Sequence, residues 1–393
     1  MNEMRSYLFV VDNLNLGGVQ KSLVSFANKL TLNNKVTICV LTGRGLLTEQ
    51  LSREIIIIYP NSRVSKFVNI MSVHKDKLKS NRINYVRKGI YRLIQNIGLG
   101  YLLNRFIVLN NKIFDSYDVA ISYTGLPGVW DEVVQHNINA KIKIAWIHNN
   151  PYSLKLDKIN ATKYYDRFDA IINVSKDCLE KFNNICPQLN KKNHLIYNIV
   201  DENEIITKAG IESPFVSKKF VIVTVSRIQN SSKRFDRIIQ SAILLNQLGV
   251  TEFEWYIIGD GPESNWLKTE INLNKLDNVI HFIGFKENPY PYIKFANLFI
   301  LASDYEGLPV TLMETRILST PILVTNFDCA NEALYDYKKS KIVEKDPKSL
   351  ANGIIYMMSS NEDLWLYDTY TINNTFTNSV NNFEKLLGDL DAK

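Results

Sequence analysis

The sequence predicts an α/β protein of two doubly wound domains. Three observations lead there. Short apolar runs alternate with helical patterns, the series stops near residues 200–216 and then restarts, and 393 residues exceed what one hydrophobic core usually organises.

In the first half, Tyr7–Val11 is an apolar run closed by the turn-prone pair Asp12-Asn13. A helix should follow, because Val19, Leu23, Phe26, Ala27 and Leu30 recur at helical spacing. Val36–Leu41, Ile55–Tyr59, Val119–Ser122, Ile142–Ile147 and Ala170–Val174 are further short runs bounded by polar or turn residues. Continuous apolar strands separated by helices indicate parallel βαβ units. Asp201 to Glu204 and Gly210 to Pro214 read as polar connection. The series resumes with Phe220–Val225, Trp255–Ile258, Val279–Phe282, Leu298–Ala302 and Pro321–Thr325, and a terminal helix is expected over Phe383–Leu387. The expected domains are therefore residues 1–205, residues 206–370, and a tail, 371–393, whose helix packs back on the first domain.

Hydrophobic residues make up 46% and charged residues 22%, which excludes a disordered chain. The four cysteines (Cys39, Cys178, Cys186 and Cys329) form no CxxC pair, and no histidine cluster has zinc-ligand spacing, so reduced thiols and no metal are expected. No export signal is read at the start, and no apolar run approaches the ~20 residues of a membrane span. The expected location is cytoplasmic, either free or peripheral at the inner membrane face. The net charge of +6 is unevenly spread: residues 61–112 hold six Lys and five Arg against the single acid Asp76, or +10, which leaves −4 for the rest. Within that basic insertion Tyr85, Ile90, Leu93, Ile94, Ile97, Tyr101 and Leu102 alternate with Arg82, Arg87, Lys88, Arg92 and Arg105. Such a pattern fits either a helix on an anionic membrane surface or a solvated helical pair packed on its own domain. It carries no nucleic-acid motif, and no nucleic-acid partner is expected.

The most informative stretch is Ser303-Asp304-Tyr305-Glu306-Gly307-Leu308-Pro309-Val310-Thr311-Leu312-Met313-Glu314. It follows a strand, so Glu306 should stand at a carboxyl end, where open α/β sheets bind ligands. Gly307 permits a tight turn, and Pro309 suits the first helical position. The amides near Val310 and Thr311 would then face a phosphate, and Glu314 would reach ribose hydroxyls.

Glu306 and Glu314, with seven residues between them, reproduce the E-x7-E signature of the family 4 retaining glycosyltransferases, and Ser303 and Gly307-Leu308-Pro309 resemble its usual context. That family adopts the GT-B architecture, which implies two Rossmann-like doubly wound domains facing each other across a cleft. The resemblance implies further site residues in the family's order. Arg227 and Lys233, in Ser226-Arg227 and Lys233-Arg234-Phe235-Asp236, look like the basic pair that neutralises the donor pyrophosphate. Gly259, in Gly259-Asp260-Gly261-Pro262, and Gly284, in Ile283-Gly284-Phe285, resemble loops lining the nucleotide and its base; ordinary βα turns are the alternative. Gly17 and Gly18 match a glycine pair facing phosphate or acceptor, and any βα turn could use the same dipeptide. His148, in Trp146-Ile147-His148-Asn149, aligns with the histidine that contacts the transferred sugar; a structural hydrogen bond is the alternative. Asn198 and Asp201 resemble the interdomain segment, with capping and turn formation as their expected role. Two departures, Asp328-Cys329 in place of a glycine pair and Thr315 in place of alanine, fall near the donor rim.

The resemblance thus implies transfer of a sugar from a nucleotide diphosphate donor, a UDP-sugar favoured, to a glycan acceptor, lipid-linked and destined for a surface polysaccharide or capsule. The first domain would take the acceptor and the second the donor. Glu306, His148, Arg227 and Lys233 would be catalytic. Gly17, Gly18, Gly259, Gly284, Gly307, Leu308, Pro309, Val310, Thr311 and Glu314 would bind the donor. No cofactor and no metal would be needed, and Asp389-Leu390-Asp391 sits in the tail, away from any strand end. The alternatives are a nucleotide-sugar epimerase or phosphorylase on the same fold, and a non-catalytic glycosyltransferase-like partner subunit.

Overall fold

The computed structural model describes residues 4–43, 45–59, 89–90, 93–94, 116–124, 128–154, 156, 158–359 and 378–392. The basic insertion expected at 61–112 therefore lies almost wholly outside the described residues. The chain divides into two compact units, residues 1–199 with 376–393, and residues 200–375.

The first unit contains β1 (Ser6–Val11), α1 (Gly18–Leu30), β2 (Lys35–Val40), β3 (Ile56–Ile58), β4 (Ser116–Ser122), α2 (Val129–His136), β5 (Asn139–Ile147), α3 (Lys158–Tyr165), β6 (Ala170–Asn173), α4 (Lys176–Ile185) and β7 (Asn193–Leu195). Its seven strands run parallel in the order β3-β2-β1-β4-β5-β6-β7. The central strands are buried on both faces, which explains why Leu8, Phe9 and Val10 follow one another without alternation. Leu23, Phe26, Ala27 and Leu30 of α1 face this core as their spacing requires, whereas Val19 is only half-buried.

The second unit contains α5 (Glu202–Ala209), β8 (Phe220–Val225), α6 (Asn230–Lys233), α7 (Phe235–Gln247), β9 (Phe253–Ile258), α8 (Ser264–Leu273), β10 (Ile280–Gly284), α9 (Tyr290–Lys294), β11 (Leu298–Leu301), α10 (Val310–Ile317), β12 (Ile322–Thr325), α11 (Ala330–Ala333), β13 (Ser340–Val343) and α12 (Pro347–Ser359). Its strands are also parallel, in the order β10-β9-β8-β11-β12-β13. The strand order reverses between β1 and β4 in the first unit and between β8 and β11 in the second. At such a reversal the flanking loops diverge above the carboxyl ends of the strands and leave room for a ligand.

Four elements differ from the expectation. Residues 202–209, read as connection, form α5, because Asp201 caps the helix by accepting from the Glu204 amide at 2.9 Å and Gly210 ends it at φ 65°. The edge strands β7 and β13 carry no strong apolar run and pair on one side only. The terminal helix is longer than Phe383–Leu387: α13 spans Ser379–Asp391 and belongs to the first unit. Phe383 packs against Phe26, Trp146 and Tyr7, with ring centroids 5.3, 5.7 and 6.2 Å away. Asp391, the second acid of the tail's Asp-x-Asp, pairs with Arg5 at the end of this helix.

Candidate functional site

The second unit concentrates the predicted residues at its strand-order reversal. β8 delivers Ser226 and Arg227, and β11 delivers Ser303 to Glu306. Arg227 is exposed and has no side-chain partner among the described residues. Lys233 closes the single turn α6, and its Nζ lies 2.5 Å from Glu306 Oε1, which also accepts from Ser303 Oγ at 2.6 Å. These side chains are mostly buried, 20% exposed for Lys233 and 11% for Glu306. Lys233 and Glu306, 73 residues apart, are thus brought into contact.

A network that the sequence reading missed joins the two loops. Arg237, on the inward face of α7, is 1% exposed. Its guanidinium donates to the Ala302 carbonyl at 2.5 Å and to Asp304 Oδ1 at 2.6 Å. Arg234 donates to Asp304 Oδ2 at 2.7 Å and grips Asp236 with two further bonds, and the Asp304 amide donates to the Ser232 carbonyl at 2.9 Å. Burial alone would raise the Asp304 carboxyl, but bonds from Arg234 and Arg237 outweigh it and hold it below its ordinary range. Arg234 adopts a left-handed backbone (φ 54°) that turns the chain sharply from α6 into α7. The signal available beforehand was a charged residue, Arg237, set among Phe235, Ile238, Ile239 and Ala242 on a buried helix face.

The predicted glycines have backbone reasons. Gly259 has φ 148°, and a Cβ there would lie 1.9 Å from the Ser226 carbonyl oxygen; one at Gly261 would lie 2.2 Å from that of Ile228. The Ile228 amide donates to the Asp260 carbonyl, and the Gly259 amide to that of Gly284. The loops after β8, β9 and β10 therefore pack backbone to backbone, and Arg227 stands on the first of them. Gly284 (φ 77°) faces open space.

After β11, Gly307 and Leu308 are buried, Val310 is 4% exposed and Thr311 is half-buried. Pro309 is the N-cap of α10, with extended ψ of 113°, one position earlier than its expected place as first helical residue. Thr315 donates to the Thr311 carbonyl at 2.7 Å, and Cys329 Sγ lies 3.9 Å from the Glu306 carbonyl. Glu314 is 1% exposed, and the hydroxyl of Tyr290 donates to it at 3.1 Å. Burial, and next to it the Glu314 charge, push the Tyr290 phenol upward.

In the first unit Gly17 is the extended N-cap of α1, where a Cβ would meet Gln20 Oε1 at 2.5 Å, and Gly18 is exposed. His148, just after β5, is 4% exposed. Its ring lies parallel to Trp146, 6.0 Å away at 7°, and 4.3 Å from Tyr123. Asn198, expected to cap or turn, instead places Oδ1 3.2 Å from His148 Nδ1. Burial drives the His148 pKa down to about 3, the Asn198 bond opposing only in part, so the imidazole is neutral at physiological pH. Among the described residues no group of three or more His, Cys, Asp or Glu could hold a metal ion, and no helix is long and apolar enough to cross a membrane.

Comparison with known proteins assigns the second unit. Residues 207–371 match the family described as Glycosyl transferases group 1. The second unit is a group 1 glycosyltransferase domain. Among curated relatives, the chain is 27% identical to the N-acetylgalactosamine-N,N'-diacetylbacillosaminyl-diphospho-undecaprenol 4-alpha-N-acetylgalactosaminyltransferase of Campylobacter jejuni, over 56% of this chain and 58% of that protein. It is 24% identical to the O-antigen biosynthesis glycosyltransferase WclY of Escherichia coli, over 48% and 52%. The chain spans about half the length of the curated relatives it matches. Among solved structures, a TarM variant from S. aureus in complex with fondaparinux, alpha-GlcNAc-glycerol and UDP superposes with a TM-score of 0.66 at 14% identity, covering 98% of both chains. The group 1 domain and the unit that precedes it thus share the GT-B fold.

Proposed function

We propose that this chain is a retaining glycosyltransferase that moves a sugar from a nucleotide diphosphate donor to a glycan acceptor in polysaccharide biosynthesis. The observation that carries the reading is the meeting of Lys233, Glu306 and Ser303 above the carboxyl ends of β8 and β11. A cation and a carboxylate fixed side by side, close to the start of α10 and with exposed Arg227 on the adjoining strand end, suit a ligand that is anionic at one end and rich in hydroxyls at the other. Lys233 and Arg227 would take the diphosphate and absorb the charge that grows as it leaves. Glu306 would then accept hydrogen bonds from sugar hydroxyls, and in the first unit His148 would contact a carbohydrate group.

For retention, the acceptor hydroxyl attacks the anomeric carbon from the face the diphosphate is leaving. The new carbon–oxygen bond forms as the bond to the diphosphate breaks, and the hydroxyl proton passes to a diphosphate oxygen. This scheme uses fixed cations and calls for no metal. UDP is the favoured nucleotide, since HepE from Anabaena, which has a TM-score of 0.64 at 15% identity, is described in complex with UDP and glucose. A lipid-linked acceptor is favoured by the diphospho-undecaprenol in the name of the Campylobacter relative. The basic residues 61–112 would seat the protein on an anionic membrane.

A panel of UDP-, GDP-, ADP- and dTDP-sugars, followed by nucleotide release and product anomer analysis, tests the reading. One donor should be consumed with its anomeric configuration kept, and Glu306→Gln and Lys233→Ala should each cut turnover at least ~100-fold with the fold intact. Inversion, or turnover unaffected by either substitution, rejects it.

A further inference from the structure

His148 and the side chains of Asn198, Ser22 and Tyr123 form a hydrogen-bond chain whose directions can be worked out. The Ile199 amide donates to Ser22 Oγ at 3.3 Å, and the Tyr123 hydroxyl lies 3.2 Å from the same oxygen. The Ser22 hydroxyl donates to Asn198 Oδ1 at 3.2 Å. With its one proton spent there, Ser22 accepts from Tyr123. Asn198 Oδ1 is a carbonyl oxygen and can only accept, so His148 Nδ1, 3.2 Å from it, must carry a proton. A neutral imidazole has one N–H, and the other nitrogen, Nε2, is then a bare acceptor. Nε2 is buried and has no hydrogen-bond partner among the described residues.

We propose that Asn198, oriented by Ser22, is a positioning residue that locks His148 in its Nδ1-protonated form, so that Nε2 accepts a hydrogen bond from a hydroxyl of the carbohydrate substrate. The proposal rests on the glycosyltransferase reading and adds a selectivity to it. A buried acceptor without a partner favours a ligand that can donate, and it disfavours a deoxy or carboxylate group at the same place. The rings packed on His148, Tyr123 and Trp146, are neutral, as are Asn198 and Ser22. None of these contacts supplies a charge that would turn Nε2 into a donor. The low pKa of the buried ring agrees with this form.

The test is nitrogen NMR of the full chain with labelled histidine, the His148 signal assigned by its loss in His148→Gln. The chain has five histidines, few enough to resolve. The wild type should show a protonated Nδ1 and an unprotonated Nε2. Asn198→Leu should move the proton to Nε2 and raise KM for the carbohydrate substrate roughly 10-fold or more, with affinity for the free nucleoside diphosphate unchanged. Asn198→Asp guards against a variant that fails to fold: it keeps the acceptor at Nδ1 but adds a charge. Its His148 should titrate at higher pH, and activity should fall as pH drops through that value because Nε2 becomes a donor.

A wild-type His148 protonated at Nε2 overturns the proposal. So does an Asn198→Leu protein whose proton moves while KM stays the same. The NMR arm needs no turnover, so a protein that consumes no nucleotide sugar yet shows the stated tautomer leaves the positioning by Asn198 standing and removes only the carbohydrate reading.

Discussion

Arg237→Met probes the network that holds Lys233 against Glu306. Methionine keeps most of the length and apolar contact of the arginine, so the loss isolates the polar part. The substitution leaves the buried Ala302 carbonyl without its 2.5 Å donor, which costs about 1–3 kcal/mol. It also removes one charge-assisted bond from Asp304. That carboxylate is 27% exposed and keeps Arg234, so this second loss falls well below the about 3–5 kcal/mol of a fully stranded buried ion. Relief of the arginine's own desolvation, including a buried Nε with no partner among the described residues, offsets part of the sum. The net expectation is about 2–3 kcal/mol. Residues 200–375 form the unit affected, and for a domain of that size the melting temperature should fall roughly 5–10 °C. Scanning calorimetry of the full chain reads the shift. Asp304→Asn should cost more than Arg237→Met, since it removes the negative charge facing two guanidiniums, one of them 2% exposed. The double variant should cost less than the two separate effects together. An Arg237→Met protein melting within a degree of wild type, or the reverse order of the two single variants, would refute the argument that these bonds hold the loops.

Gly259→Ala should destabilise by more than about 2 kcal/mol and weaken nucleotide binding, because its Cβ meets the Ser226 carbonyl at 1.9 Å at φ 148°. Gly284→Ala, at φ 77° in open space, should cost only about 1 kcal/mol, and paired thermal melts separate the two. Asp131 gives a pH prediction. Burial raises its carboxyl from 3.8 to about 7, against bonds from Ser122 and the Gly128 amide. Because the folded value lies above the unfolded one, its contribution is fully present below about pH 4 and is lost as pH rises through about 7. Asp131→Asn should therefore gain stability relative to wild type between pH 4 and 8, measured by urea unfolding at each pH; a constant difference contradicts the assignment. Asp201→Ala, which removes the cap of α5, should cost about 1 kcal/mol in the same assay.

Much of the fold could be read from the chain because parallel strands buried on both faces are continuous apolar runs, as in Phe220–Val225 and Leu298–Leu301. Strands β7 and β13 escaped because edge strands bury less and carry polar residues such as Asn193 and Lys341. Helix α5 escaped because Glu202, Asn203 and Glu204 lie in its first turn and hide the apolar positions Ile205 and Ala209. At the site, Glu306 and Lys233 were legible from motif and strand context. The Arg237–Asp304 bond was not, since it joins residues 67 apart and depends on register between α7 and the end of β11. Asn198 escaped for a similar reason: its partners Ser22 and His148 lie 176 and 50 residues away, and a polar side chain near a turn is ordinarily a cap. The burial of Glu314, expected to reach ribose hydroxyls, and its bond from Tyr290 follow from the packing of α9 on α10, which sequence spacing alone does not reveal.

The central claim is that cations of the group 1 domain hold a nucleoside diphosphate beside Glu306, and calorimetric titration of the full chain measures it most directly. One of UDP, GDP, ADP or dTDP should bind at one site per chain. Lys233→Ala and Arg227→Ala should each weaken that binding roughly 10- to 100-fold, the worth of one charge-assisted contact. Binding of none of the four, or equal affinity in wild type and both variants, would contradict it.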